Sequence, residues 1–268
     1  MRRDLVHERM AEGDILKPRL TASETSTVPR HVALILDDAA QWAATRGLTQ
    51  FEEFRCGMEV LRCAALAAIK LNIPFLTVCF CSIADWSRPP KDAQSLLRLL
   101  KHAIRAEFAD LQANNIRVRV IGARANLASD LPALLYELEQ ATAANTGLTL
   151  VVAVNYAARQ EITSAVRALA EGVAVGRLAL DDINADTISA RLGTAGIPDP
   201  DLILRTSGGQ RLSDFLLWQA AYAEFVFLPI DWQDFDKAAF EAAITDYGRR
   251  DRRFGRIREP KHAAKTAS

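Results

Sequence analysis

The sequence lacks net charge: 33 lysines and arginines face 33 aspartates and glutamates over 268 residues. No global field steers it toward nucleic acid or an anionic membrane, so any anion it binds must be held locally. It also lacks an uninterrupted apolar run of the roughly 18 to 20 residues that crosses a bilayer, which excludes a transmembrane segment. Cysteine is scarce. Cys56, Cys63, Cys79 and Cys81 lie in apolar stretches at spacings that match no zinc ribbon. No secretory leader is recognisable ahead of them, so they read as reduced core residues of a cytoplasmic protein.

Half of the chain is hydrophobic, enough for one sizeable domain. Residues 1–28 mix charges with Ser, Thr and Pro and carry no long periodic apolar face. They read as a flexible N-terminal arm, 29–256 as a single domain and 257–268 as a flexible tail. From His31 the segment HVALILDD is an apolar run that stops at two carboxylates, as a buried parallel strand does on reaching its loop. FLTVCFCS, IRVRVIG, LTLVVAVNY, DLILRTSG and EFVFLP repeat the pattern. Helices are predicted between these strands, near 56–71, 93–114, 130–144 and 159–171. This alternation predicts an α/β fold with a mainly parallel central sheet flanked by helices. Its ligand crevice should lie at the carboxyl ends of the strands. Asp37 and Asp38, Ser82 to Arg88, Asn155 and Tyr156, and Arg205 to Ser213 all fall at such ends and are expected to share one cleft.

Two of these clusters differ in charge. PDPDLILRTSGGQRLSDFLLWQAAYAE, residues 198–224, concentrates Arg205, Thr206, Ser207, Arg211 and Ser213 within nine positions, with Glu224 shortly after. Two arginines can clamp a diphosphate through paired charge-assisted hydrogen bonds. DDAAQWAATRGLTQFEEF, residues 37–54, is a strand-to-helix junction where a phosphate could sit, yet Asp37 and Asp38 are acidic and Ala39, Ala40, Gln41, Gln50 and Phe54 are uncharged.

Read in order, HVALILD, LTVCFCSIADWSRP, VNYAARQEI, the 198–224 segment with Phe225, and RRDRRFG resemble the cis-prenyltransferases. The resemblance spans roughly residues 30 to 256. It implies a homodimer with an apolar tunnel for isoprenoid chains, extending an allylic diphosphate with isopentenyl diphosphate with the help of Mg2+. By the same resemblance Arg205, Arg211 and Ser213 hold the second diphosphate. Glu224 is a magnesium-associated carboxylate, and Arg253 with Gly255 reaches across the dimer. Gly209 departs from the glutamate usual in the family. The first site departs further. The family pattern Asp-Gly-Asn-Gly-Arg-Trp-Ala here reads Asp37, Asp38, Ala39, Ala40, Gln41, Trp42, Ala43; Gln50 replaces an arginine, and Glu53 and Phe54 replace a Gly-His pair.

The glycines of that pattern let backbone amides wrap a phosphate at a helix N-terminus, and its arginine neutralises the charge. Unit charges about 4 Å apart interact by roughly 4 kcal/mol in a partly exposed site, so losing two such contacts removes orders of magnitude in affinity. Either Asp37 and Asp38 recover the site by holding Mg2+ against the phosphates, or Asp38 caps the next helix. In the third segment Asp85 stands where the family has asparagine beside Ser82. A carboxylate accepts protons or binds metal but cannot donate an amide hydrogen bond. Arg88 is retained. Trp42, Phe54, Phe80 and Trp86 either line a pocket for an allylic cation or pack in the core.

Three readings follow for the substrates, which the resemblance makes isoprenoid diphosphates. Asp37, Asp38, Ser82 and Asp85 would catalyse Mg2+-assisted loss of diphosphate, then irregular coupling or cyclisation in specialised terpenoid synthesis. The chain would instead carry out regular Z-type condensation with isopentenyl diphosphate. Or it would be a silent subunit of a heteromeric prenyltransferase.

Overall fold

The computed structural model describes residues 27–36, 39–82, 90–124, 127 and 130–250; for 39–41, 80–82, 90–94 and 96 it describes only the backbone. Six strands form one sheet: β1 (His31–Ile35), β2 (Phe75–Ser82), β3 (Arg117–Ile121), β4 (Thr149–Tyr156), β5 (Leu202–Arg205) and β6 (Glu224–Phe227). All pairings are parallel and the order is β3-β4-β2-β1-β5-β6, confirming the α/β expectation. Because every strand points the same way, all loops after the strands leave at one carboxyl edge.

Between the strands lie α1 (Ala39–Arg46), α2 (Gln50–Lys70), α3 (Pro90–Ala113), α4 (Leu131–Ala141), α5 (Ala158–Ala174) and α6 (Ala185–Ser189); α7 (Lys237–Arg249) follows β6. α2 begins six residues before the expected position. Thr49 starts it with a capping box: its hydroxyl accepts from the Glu52 amide at 3.3 Å, and the Glu52 carboxylate accepts from the Thr49 amide at 2.8 Å.

Strand alternation sorts the core into two layers. Val32, Leu34, Leu76, Val78, Leu150, Leu202 and Leu204 face α2 and α7, where Ala64, Ala65, Ala67 and Ala68 leave room for α2 to lie close on the strands. On the same side Val118 and Val154 pack with α3 and α4. Ala33, Ile35, Val151, Ala153 and Ile203 face the other way, against Ala158 of α5 and the segment around Phe215 and Leu216. The register of β2 on β4 shifts between Cys79 and Cys81 and again between Cys81 and Ser82. Each shift leaves one unpaired residue, Phe80 on β2 and Asn155 on β4, and Asn155 is left-handed at φ 50°. Such bulges re-aim side chains where strands meet a site.

Candidate active site

β5 carries Arg205 to the carboxyl edge, and alternation turns its side chain toward the α5 face with Ile203. Arg205 is only 1% exposed. Its Nη1 donates to Ser213 Oγ at 3.0 Å and to the Arg211 carbonyl. Sequence reasoning expected Arg205 to grip a ligand directly; the structure instead makes it the internal tie of the 206–218 loop. Arg211 and Ser213, by contrast, are exposed. Gly209 lies against this tie. A Cβ there would stand 2.5 Å from Arg205 Nε and 2.7 Å from Nη2, so the inward guanidinium and the missing glutamate go together.

The loop is strained. Ser207, Gly208, Ser213, Asp214 and Leu216 have φ of 58°, 68°, 51°, 60° and 46°. Left-handed non-glycine residues cost on the order of 1–3 kcal/mol each and persist only where their surroundings hold them. α5 does the holding: the Asp214 carbonyl accepts from the Ala158 amide at 2.8 Å, and Asp214 Oδ1 from the Arg159 amide at 3.0 Å. Deeper, Glu161 Oε2 accepts from Tyr156 Oη at 2.7 Å and from Gln219 Nε2 at 3.2 Å, while Oε1 accepts from the Gly193 amide at 2.8 Å. Burial, with the Glu161 charge, pushes the Tyr156 hydroxyl above its ordinary range, so Tyr156 stays a neutral donor. VNYAARQEI contains Glu161, but nothing in that string marked it as the acceptor on which the loop rests. The Ser207 and Gly208 amides are already donated to the Ile230 and Leu228 carbonyls at 2.7 and 3.0 Å. The exposed groups the arrangement can present to a diphosphate are Arg211 and the Ser213 hydroxyl.

At the first segment, Trp42 is 8% exposed on α1. The Arg46 guanidinium lies 4.6 Å from its ring centroid and reaches Asp234 at 3.4 Å, so this cation already has two partners. Phe54 is half-buried one turn into α2. Ser82 ends β2, described by its backbone alone. Asp37, Asp38, Asp85, Trp86, Arg88, Arg253 and Gly255 lie outside the described residues, as does the Phe80 side chain.

Glu224 stands apart from this edge. It pairs with Leu202 at the amino end of β6, whereas Arg205 pairs with Phe227; three residues of strand separate the levels by about 10 Å. Its carboxylate accepts from Arg250 Nη1 at 3.0 Å. Among the described residues no three His, Cys, Asp or Glu side chains converge as metal ligands. Glu224 is thus paired with Arg250 in one chain, while Asp37, the other residue that the resemblance assigns to magnesium, lies outside the described residues.

On the opposite face from Arg205, an apolar cavity of about 100 Å³ lies between α2, α3 and the β3–β4 surface. Met58, Ala65, Ile104, Leu111, Val152 and Val154 are among the residues that wall it. The 93–115 stretch thus lines an apolar space, as the resemblance implies for an isoprenoid tunnel. Residues 35–255 match the family model described as "Putative undecaprenyl diphosphate synthase". The chain belongs to the cis-prenyltransferase family. It is 49% identical to the isoprenyl transferase of Rhizobium meliloti (strain 1021), across 88% of this chain and 95% of that one. Isoprenyl transferase 2 of Bradyrhizobium diazoefficiens is also 49% identical, across 94% of this chain and 98% of the other. The fold matches the crystal structure of lavandulyl diphosphate synthase from Lavandula x intermedia in complex with dimethylallyl diphosphate. That match has a TM-score of 0.81 and 33% identity, covering 86% of this chain and 99% of that one. The protein is accordingly a prenyltransferase of the cis family. Among its described residues no helix is long and apolar enough to cross a membrane.

Proposed function

We propose that this prenyltransferase condenses an allylic diphosphate with isopentenyl diphosphate in the regular Z-type reaction, as a homodimer. The observation that carries this reading is the division of labour across one sheet: a polar loop organised by buried Arg205 on one face, an apolar cavity on the other. A substrate with a charged head and a hydrocarbon tail needs both, and they can meet only across the carboxyl edge. Arg211 and the Ser213 hydroxyl bind the isopentenyl diphosphate; Arg205 positions them. The allylic tail enters the cavity, whose apolar wall excludes water from it. The relatives' name, isoprenyl transferase, supports transfer of this kind.

A second reading is favoured by the acid at the first segment. Asp38 and Glu53 stand where the resemblance expects a glycine each, so the allylic diphosphate could be ionised rather than elongated, leading to irregular coupling or cyclisation. The likeness to a lavandulyl diphosphate synthase complexed with dimethylallyl diphosphate is compatible with it. Magnesium enters either reading through Asp37 and Glu224, the carboxylates that the resemblance assigns to it.

Incubation with dimethylallyl, geranyl or farnesyl diphosphate, with and without isopentenyl diphosphate, separates the two. Longer prenyl diphosphates formed only with isopentenyl diphosphate support regular condensation; diphosphate release without it supports the second reading. Arg211→Ala should weaken isopentenyl diphosphate binding on the order of 10- to 100-fold, as expected for one lost hydrogen bond to a charged group, with little change in thermal stability. Unchanged affinity would remove Arg211 from the site. Excess EDTA should abolish turnover if magnesium is required.

A further inference from the structure

The cavity between α2 and α3 has few polar groups in its wall, and three of them form one cluster. Arg62 of α2 faces Glu107 and Asp110 of α3: its Nη2 lies 3.5 Å from Glu107 Oε2, and the same nitrogen pairs with Asp110 Oδ2. Apart from these and Asn114, the residues that line the cavity are apolar. Leu66, one turn beyond Arg62, lines the cavity yet is 42% exposed, so the seam between the helices is thinly covered beside the ion pairs.

The free space is small for a hydrocarbon chain. A cavity of roughly 150 Å³ admits a single benzene ring, and this one holds about 100 Å³. A chain of several isoprene units needs α3 to move away from α2, and the ion pairs oppose that separation. Both helices descend from the carboxyl edge, so a chain anchored there by its diphosphate passes between them. We propose that Arg62, with Glu107 and Asp110, is an ionic latch across the α2–α3 seam that bounds the length of prenyl chain the cavity accepts. Arg62 is a positioning residue here: it meets no reacting atom and acts through the spacing of the helices. The proposal rests on the reading of this cavity as the prenyl-chain compartment.

The test uses the full chain and two readouts, one independent of catalysis. Binding of the uncharged alcohols geraniol, farnesol and geranylgeraniol is measured by calorimetry, and product lengths are measured by chromatography. Arg62→Ala should raise the affinity for geranylgeraniol relative to geraniol by at least about threefold, the size expected when exposed ion pairs of ordinary strength are lost. Its products should lengthen. The charge swap Arg62→Asp with Asp110→Arg should restore the parent profile. Arg55→Ala, which breaks the Arg55–Glu59 pair within α2, should leave it alone. Salt at about 1 M, where the screening length falls to about 3 Å, should move the parent protein toward the Arg62→Ala profile. An unchanged alcohol preference in Arg62→Ala, a charge swap that fails to restore it, or no alcohol binding by any variant overturns the latch. A shifted alcohol preference with no elongation under any condition supports the latch and overturns regular condensation instead. Elongation with unaltered product length in Arg62→Ala overturns the latch while leaving the function standing.

Discussion

At the scale of single residues, His31 is the titratable group with the clearest consequence. It is buried at the amino end of β1; its Nδ1 donates to the Pro198 carbonyl at 2.6 Å and its Nε2 accepts from the Thr77 hydroxyl at 2.6 Å. Burial lowers its pKa to about 4, against smaller opposing effects of the Pro198 hydrogen bond and Asp201. The unfolded chain takes up this proton near pH 6.5, the folded one only near 4. Between those values the unfolded state holds more protons, so this contribution to stability is full above pH 6.5 and lost as pH falls toward 4. The loss amounts to about 3 kcal/mol. Urea unfolding at a series of pH values should show this slope, and His31→Gln should flatten it; equal slopes would deny His31 the role. Gly209 makes a second residue-level case. Gly209→Ala must displace the Arg205 guanidinium, and we expect it to lower both the melting temperature and diphosphate affinity, whereas Gly208→Ala, with no atom within 4 Å of the added Cβ but a φ of 68°, should carry only the backbone strain.

At the scale of elements, the helices gain most from their ends. Thr49→Ala removes the hydroxyl that caps α2 and should cost about 1 kcal/mol, read as a shift of the urea midpoint at constant slope; no shift would mean the cap is idle. This cap also shows where the sequence was hard to read. Thr49 and Glu52 lie inside the polar 37–54 segment, which masks their capping box, and apolar periodicity marks α2 only from Cys56, six residues after its start. The strands were far more legible, because buried parallel strands are short apolar runs with polar stops, and FLTVCFCS matches β2 residue for residue. α7 had no such contrast, since its apolar residues Phe240, Ala243, Ile244 and Tyr247 form a stripe within a charged segment. The candidate site was legible as a set of residue types but not as a geometry. No string shows that Arg205 points inward to Ser213, or that Glu224 opens its strand at the far end of the sheet.

At the scale of the whole molecule, the sheet is a partition. The buried-arginine loop lies on the α5 face and the apolar cavity on the α2–α3 face, so diphosphate binding at the first and hydrocarbon binding at the second, as proposed, should separate under mutation. Val152→Phe on β4 fills the cavity from the sheet side. It should abolish farnesol binding while leaving inorganic pyrophosphate affinity within about twofold, since sites that share no contacts act independently. Loss of both would mean that the cavity and the loop are not separate compartments.

The left-handed cluster at Ser207, Ser213, Asp214 and Leu216 would leave its own signature under selection. In a randomised library scored for survival, all four positions should reject valine and isoleucine, and Ser207 should admit glycine and asparagine, while the Ser213 hydroxyl, the Asp214 carboxylate and the buried Leu216 side chain narrow the choice further at the other three. Tolerance there would follow backbone handedness, and a map of permitted substitutions would trace the outline of the loop before any ligand had been seen in it.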